Sequence, residues 1–172
     1  MVMTTDATPY ANCYSEALSC PHLGQLSPGG LALNFGYVSR DEYRALWENR
    51  SRHKTVLTGA CLTGLFLDGL ELLQTPDLPH KSPQDYLIAA FVRVYKGDPD
   101  FHFSYSKPGH NTWLHSRRVQ YGDGEAPFIV REEIARPHRM PEEGIFDYEF
   151  ITFARVTAAL SARLGLAPHP VR

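Results

Sequence analysis

The chain lacks an excess of charge of either sign. Its 17 Lys and Arg stand against 19 Asp and Glu, a formal net charge of -2. A general nucleic-acid binder carries a clear basic surplus, so that class is not expected. Cysteine is scarce too. Cys13, Cys20 and Cys61 are the only three, and none stands in a C-x-x-C pair, so neither a disulfide framework nor a thiolate metal site is expected. Free thiols suit a reducing, cytoplasmic setting. No charged segment followed by an apolar run opens the sequence, and no secretory leader is expected. Also missing are a G-x-S-x-G elbow, a Gly-rich phosphate loop, a dinucleotide fingerprint, and an H-E-x-x-H or H-x-H ligand motif. Those absences exclude the large cofactor-dependent classes, and no cofactor or resident metal is expected.

What is present is a core. With 172 residues, 43% of them hydrophobic, the composition fits one globular domain that buries about 70% of its unfolded surface. The residues divide into a partly ordered arm over 1–29, rich in Thr, Ser, Pro and Gly, one α+β domain over 30–165, and a tail over 166–172. Thr55 to Leu73 is the longest nearly uncharged stretch. Asp68, Glu71 and three glycines within it argue against a membrane span. Leucine, Thr or Asp, then glycine recurs every fifth residue, at Leu57-Thr58-Gly59, Leu62-Thr63-Gly64 and Leu67-Asp68-Gly69. Steps of five turn about 140° each on a helix, so these glycines share no face. The rhythm resembles solenoid units but is too short to build several coils, and a buried helix is expected.

Around this centre the elements read in order. Leu31 to Val38 alternates like a short strand. Ser39 to Glu42 forms a capping box, opening a helix that carries Tyr43, Leu46 and Trp47. Ser82, Pro83 and Asp85 look like another helix start, which favours a helix over a strand for the segment to Tyr95. Gly97 to Asp100 reads as a turn. Three strands follow, at Phe101–Ser106, Asn111–Tyr121 and Ala126–Arg136, and a C-terminal helix is expected from Ile145 to Leu164. The resulting fold is α+β: an antiparallel sheet, made of the C-terminal three-stranded meander and the N-terminal strand, packed on a central apolar helix and a C-terminal helix. A curved sheet gripping a helix is compatible with this order.

Asp123-Gly124 marks a two-residue hairpin loop. Counting back from it sets Tyr121 opposite Ala126, Val119 opposite Phe128, Arg117 opposite Val130, His115 opposite Glu132 and Trp113 opposite Ile134. This set, richer in apolar side chains, is expected to face the core, with Leu114, Ser116, Arg118, Ile129 and Arg131 on a solvated face. His115 and Glu132 then form a cross-strand pair in an apolar setting. A carboxylate there holds the imidazole tautomer and raises its basicity, as general acid–base work requires. The plainer reading is a satisfied polar pair, with Arg117 snorkelling to water. An even loop through Pro108-Gly109 would bring His102 beside His115; burying Phe101, Phe103 and Tyr105 with that face favours the odd loop. Only the even loop would gather His102, His115 and Glu132 as a two-His, one-carboxylate metal set. Arg117, Arg118, Arg131, Arg136, His138 and Arg139 concentrate positive charge that nearby glutamates largely offset.

The expected function is a small enzyme, a lyase, isomerase or hydrolase, acting on a compact aromatic or acyl substrate. His115 is its acid/base, Glu132 the orienting group and Arg117 an anion holder, with Trp113, Tyr121 and His102 lining the pocket. The alternative is a non-catalytic module that binds a small molecule or a protein. A homodimer is compatible with either.

Overall fold

A computed structural model describes residues 11–48, 53–119, 122–124, 128–137 and 148–166. Five helices and six strands are assigned among them: α1 Cys13–Ala17, α2 Gly30–Asn34, α3 Arg40–Trp47, α4 Lys54–Leu67, β1 Leu70–Leu73, β2 Leu87–Tyr95, β3 Asp98–Ser106, β4 Trp113–Val119, β5 Phe128–Ile134, β6 Glu149–Val156 and α5 Ala158–Arg163. The strands make one antiparallel sheet in the order β1-β6-β2-β3-β4-β5.

The apolar stretch is a helix only as far as Leu67. Leu57, Ala60, Cys61, Gly64 and Leu65 bury one side of α4 at three-four spacing. Asp68 then caps the helix, Gly69 takes φ +92°, and Leu70 opens β1. The three glycines of the five-residue rhythm therefore do three different things. Gly59 faces open space, Gly64 lets α4 ride against the backbone of Pro28, and Gly69 supplies the left-handed residue that turns helix into strand.

Asp68 ties this corner together. Its Oδ2 accepts from the Tyr14 hydroxyl at 2.6 Å and the Gly29 amide at 2.7 Å, and its Oδ1 accepts from the Ala32 amide at 2.8 Å. One buried carboxylate thus joins α1, the start of α2 and the α4–β1 junction. Burial pushes its carboxyl up to about 6, against the hydrogen bonds that pull it down.

The helices cover one face of the sheet, α4 against β1 and β2 and α1 against β3 and β4. Tyr14, Leu57, Leu65, Ile88, Ala90, Phe103, Tyr105, Ala154 and Leu160 form that core. The opposite face is buried as well, around Leu87, Ala89, Phe91, Trp113 and Phe153.

Two-sided burial explains the main departures from expectation. Residues 82–95 and 145–164 were expected as helices, yet Leu87–Tyr95 and Glu149–Val156 are strands, and α5 occupies only Ala158–Arg163 of the C-terminal helix. A strand buried on both faces loses its period of two and reads as a continuous apolar run. At the start of β2 the cap chemistry closes a turn instead: Asp85 Oδ2 accepts from the Ser82 amide, and the Asp85 amide donates to the Ser82 carbonyl. Leu31–Val38 is no strand, because Gly30–Asn34 is helical and hung on Asp68. The sheet therefore has no N-terminal strand from that segment. The expected turn at Gly97–Asp100 tightens to Lys96-Gly97, both at positive φ, with Tyr95 paired to Asp98. Residues assigned to the arm supply Tyr14, Ala17, Leu18 and Cys20 to the core. The capping box at Ser39–Glu42 forms as expected, with the Glu42 carboxylate accepting from the Ser39 amide at 2.6 Å.

Gly64→Ala is expected to destabilise the protein by about 2 kcal/mol or more, since the new Cβ would lie 2.4 Å from the Pro28 carbonyl carbon. Gly59→Ala meets nothing and should stabilise α4 by about 1 kcal/mol. Denaturant unfolding of both variants checks the pair. Asp68→Ala strands three donors and is expected to cost about 3 kcal/mol or more in the same assay.

Candidate functional site

The final hairpin takes the register counted from Asp123-Gly124. Val119 pairs with Phe128, Arg117 with Val130, His115 with Glu132 and Trp113 with Ile134. Its neighbour β3 is set by Ser104 opposite His115 and Tyr105 opposite Leu114. That is the even register, so the odd loop is overturned. The odd loop rested on one buried face, whereas here Phe101, Phe103 and Tyr105 face the helices while His102, Ser104 and Ser106 share the other buried face with His115.

The hairpin face expected to be buried is buried, around Trp113 and His115, but the face expected to be solvated is covered too. Trp113, His115 and Glu132 point away from the helices, so the hairpin's apolar face does not pack on α4. The side expected to be solvated meets α1 instead. Ser116 and Ile129 are buried there, and Arg131 donates through Nε at 3.0 Å and NH2 at 2.9 Å to the buried Glu16.

On the second face the polar side chains join in a line. Arg117 NH2 donates to Glu132 Oε1 at 2.8 Å, Glu132 Oε2 lies 3.0 Å from His115 Nε2, and His115 Nδ1 lies 3.0 Å from His102 Nε2. A carboxylate can only accept, so His115 carries its proton on Nε2. Its Nδ1 is then an acceptor, which requires His102 to donate from Nε2 and leaves His102 Nδ1 unprotonated. Glu132 thereby sets the tautomer of both rings. Burial holds both imidazoles neutral: it lowers His102 to about 3, helped by His115, and lowers His115 against the pull of Glu132.

Aromatic side chains surround the inner end. His102 lies opposite Phe91 on β2, and its ring centroid is 5.7 Å from that of Tyr148. Phe91 meets Phe150, Phe150 meets Phe153, and Trp113 meets Phe153, at centroid distances of 5.8, 4.8 and 5.9 Å. Tyr148 is held by donating its hydroxyl to Asp100 Oδ2 at 2.6 Å, the same oxygen that takes Arg93 Nε at 2.7 Å. The Arg93 guanidinium also lies over the Tyr148 ring. Ser104 donates to the Pro137 carbonyl, so the described cover on this face comes from the segments leaving β5 and entering β6. His102 is 6% exposed and His115 1%.

Of the expected site residues, His115, Glu132, Arg117, Trp113 and His102 come together on one face. Tyr121 lies outside the described residues, as do His138 and Arg139. The even register does not make a metal set. Two imidazole nitrogens meet, but the carboxylate sits on the far nitrogen of His115, and no group of three His, Cys, Asp or Glu ligands occurs among the described residues. Arg93, Asp100 and Tyr148 were missed. A two-residue turn at Lys96-Gly97 would have counted Arg93 opposite Asp100, but Tyr148 had no signal while its segment read as helix. A cleft of about 570 Å³ lies elsewhere, lined among others by Glu71, Asp85, Arg155, Thr157, Ser161 and Leu166.

The depressed histidines give a pH dependence of defined sign. The unfolded chain takes up protons below pH 6.5, while folded His102 resists until about pH 3. Stability should therefore fall as pH drops across that window, by up to about 1.4 kcal/mol per pH unit from His102. Asp68 works oppositely, because its folded value near 6 exceeds 3.8 and favours the fold as pH drops between them. Denaturant unfolding from pH 7 to pH 4 should show a shallower loss for His102→Gln and a steeper loss for Asp68→Asn than for the parent.

In comparisons with protein-family models, curated proteins and solved structures, nothing matches this chain.

Proposed function

We propose that the protein is a general acid–base enzyme acting on a compact aromatic or acyl substrate. The observation that carries this reading is the Glu132–His115–His102 chain, whose inner end is a neutral imidazole among aromatic rings. The roles shift from those read off the hairpin alone. Both nitrogens of His115 are engaged, so His115 is the connecting group and His102 Nδ1 is the base. A proton accepted there places positive charge on a ring already linked through His115 to the Glu132 carboxylate. Burial and His115 oppose that charge, and the route through His115 to the Glu132 carboxylate would have to offset this as the charge develops, the differential stabilisation that catalysis uses. Arg117 holds the outer oxygen of Glu132, and its exposed guanidinium retains donors for an anionic group. Trp113, Phe91, Phe150 and Phe153 supply apolar walls. Because His102 is nearly sealed, substrate contact requires a covering side chain to move aside, and Tyr148 is the described ring in that place.

A second reading is favoured by the sealed His115 and by the separate 570 Å³ cleft: a non-catalytic small-ligand module. One experiment separates the two. The parent, Glu132→Gln and His102→Gln are assayed against compact aromatic and acyl esters, thioesters and hydroxy acids, with melting temperature followed in parallel. Catalysis predicts turnover in the parent and a loss of about 10²-fold or more in both folded variants. Ligands that raise melting temperature equally in all three proteins, with no turnover, would leave the binding module and sink the enzyme.

A further inference from the structure

The outer side of α4 is apolar where a surface helix is normally charged. Between Lys54 and Asp68 the helix has no charged residue, and Val56, Gly59, Thr63, Phe66 and Leu67 are all exposed. Phe66 stands 69% exposed, and no described residue lies within 4 Å of where a Cβ on Gly59 would be. These two positions are seven residues apart. Seven residues turn a helix to within about 20° of its starting direction and advance it about 10 Å. Phe66 is therefore a protruding ring and Gly59 a notch on the same stripe, two turns apart.

We propose that this stripe is a self-association surface, on which two copies of the chain pair their α4 helices antiparallel about a two-fold axis between Leu62 and Thr63. Ring and notch exchange places only under that symmetry: Phe66 of each copy meets Gly59 of the other, twice over, as an isologous contact demands. A parallel pair would set Phe66 against Phe66. The charge pattern points to the same occupant, since an uncharged stripe is matched by its own copy, and antiparallel pairing leaves Lys54 outside the overlap. Lys54 is in any case paired with Glu149. The exposed apolar side chains amount to an area on the order of 300 Å² per copy. A stable standard-size interface needs about 800 Å² per partner. The dimer is accordingly a weak, reversible one.

Sedimentation velocity on the full chain, from low to high micromolar concentration, tests the proposal. The parent should pass from monomer to dimer across that range. Phe66→Glu removes the ring, and Gly59→Leu fills the notch where a side chain meets nothing in the monomer; both should remain monomeric. Gly59→Leu should do so with an unchanged or raised melting temperature, which separates lost pairing from lost folding. Mild oxidation of Thr63→Cys should yield a cross-linked dimer because that position adjoins its own copy. A parent that stays monomeric throughout, or a dimer that persists in both Phe66→Glu and Gly59→Leu, overturns the proposal.

Discussion

Burial of the sheet on both faces is the constraint from which the rest of this structure follows. Helices occupy one side, and aromatic side chains, Tyr148 among them, with the Pro137 carbonyl occupy the other. Over Leu87–Val92, His102–Ser106 and Thr152–Ala154 no side chain can leave its polar atoms to water. Ile88, Ala90 and Val92 answer this by being apolar on the helical side, as Leu87, Ala89 and Phe91 do on the other. Where a polar residue intrudes, a partner must be supplied, because an unpaired buried group costs about 1–3 kcal/mol.

That requirement builds the site. His102 and His115 face each other diagonally across β3 and β4, and Glu132 answers His115 from β5. Two strands along, Asp100 gathers Arg93 and Tyr148, and Ser104 finds the Pro137 carbonyl. Each of these contacts is what a satisfied interior needs. The histidine chain has a property the others lack. It is directional: a carboxylate at one end fixes two tautomers in series and leaves a lone pair at the other. A polar arrangement whose protonation pattern is imposed from one end is suited to moving a proton.

Some of this was legible from residue order and some was not, for definite reasons. The Asp123-Gly124 loop fixes the count of the final hairpin, and the His115–Glu132 and Trp113–Ile134 pairs follow directly. The Ser39–Glu42 cap is equally local and equally readable. What two-sided burial hides is the period of β2 and β6, so Leu87–Tyr95 and Glu149–Val156 resemble buried helix. It also defeats the choice of a single core face, which misplaced Leu114, Ile129 and Arg131 and favoured the wrong loop before β4. Asp68 was visible only as an acid in an apolar run. Its role depends on amides from Gly29 and Ala32, far away in sequence, and no local pattern announces such a contact.

The most direct measurement is of the protons themselves. Long-range ¹⁵N–¹H correlation spectra of the imidazoles at neutral pH report which nitrogen of each ring is protonated. Neutral Nε2–H tautomers at both His115 and His102 are required if Glu132 orders the chain from its outer end. An Nδ1–H tautomer at His115, or a doubly protonated ring at either residue, would contradict it.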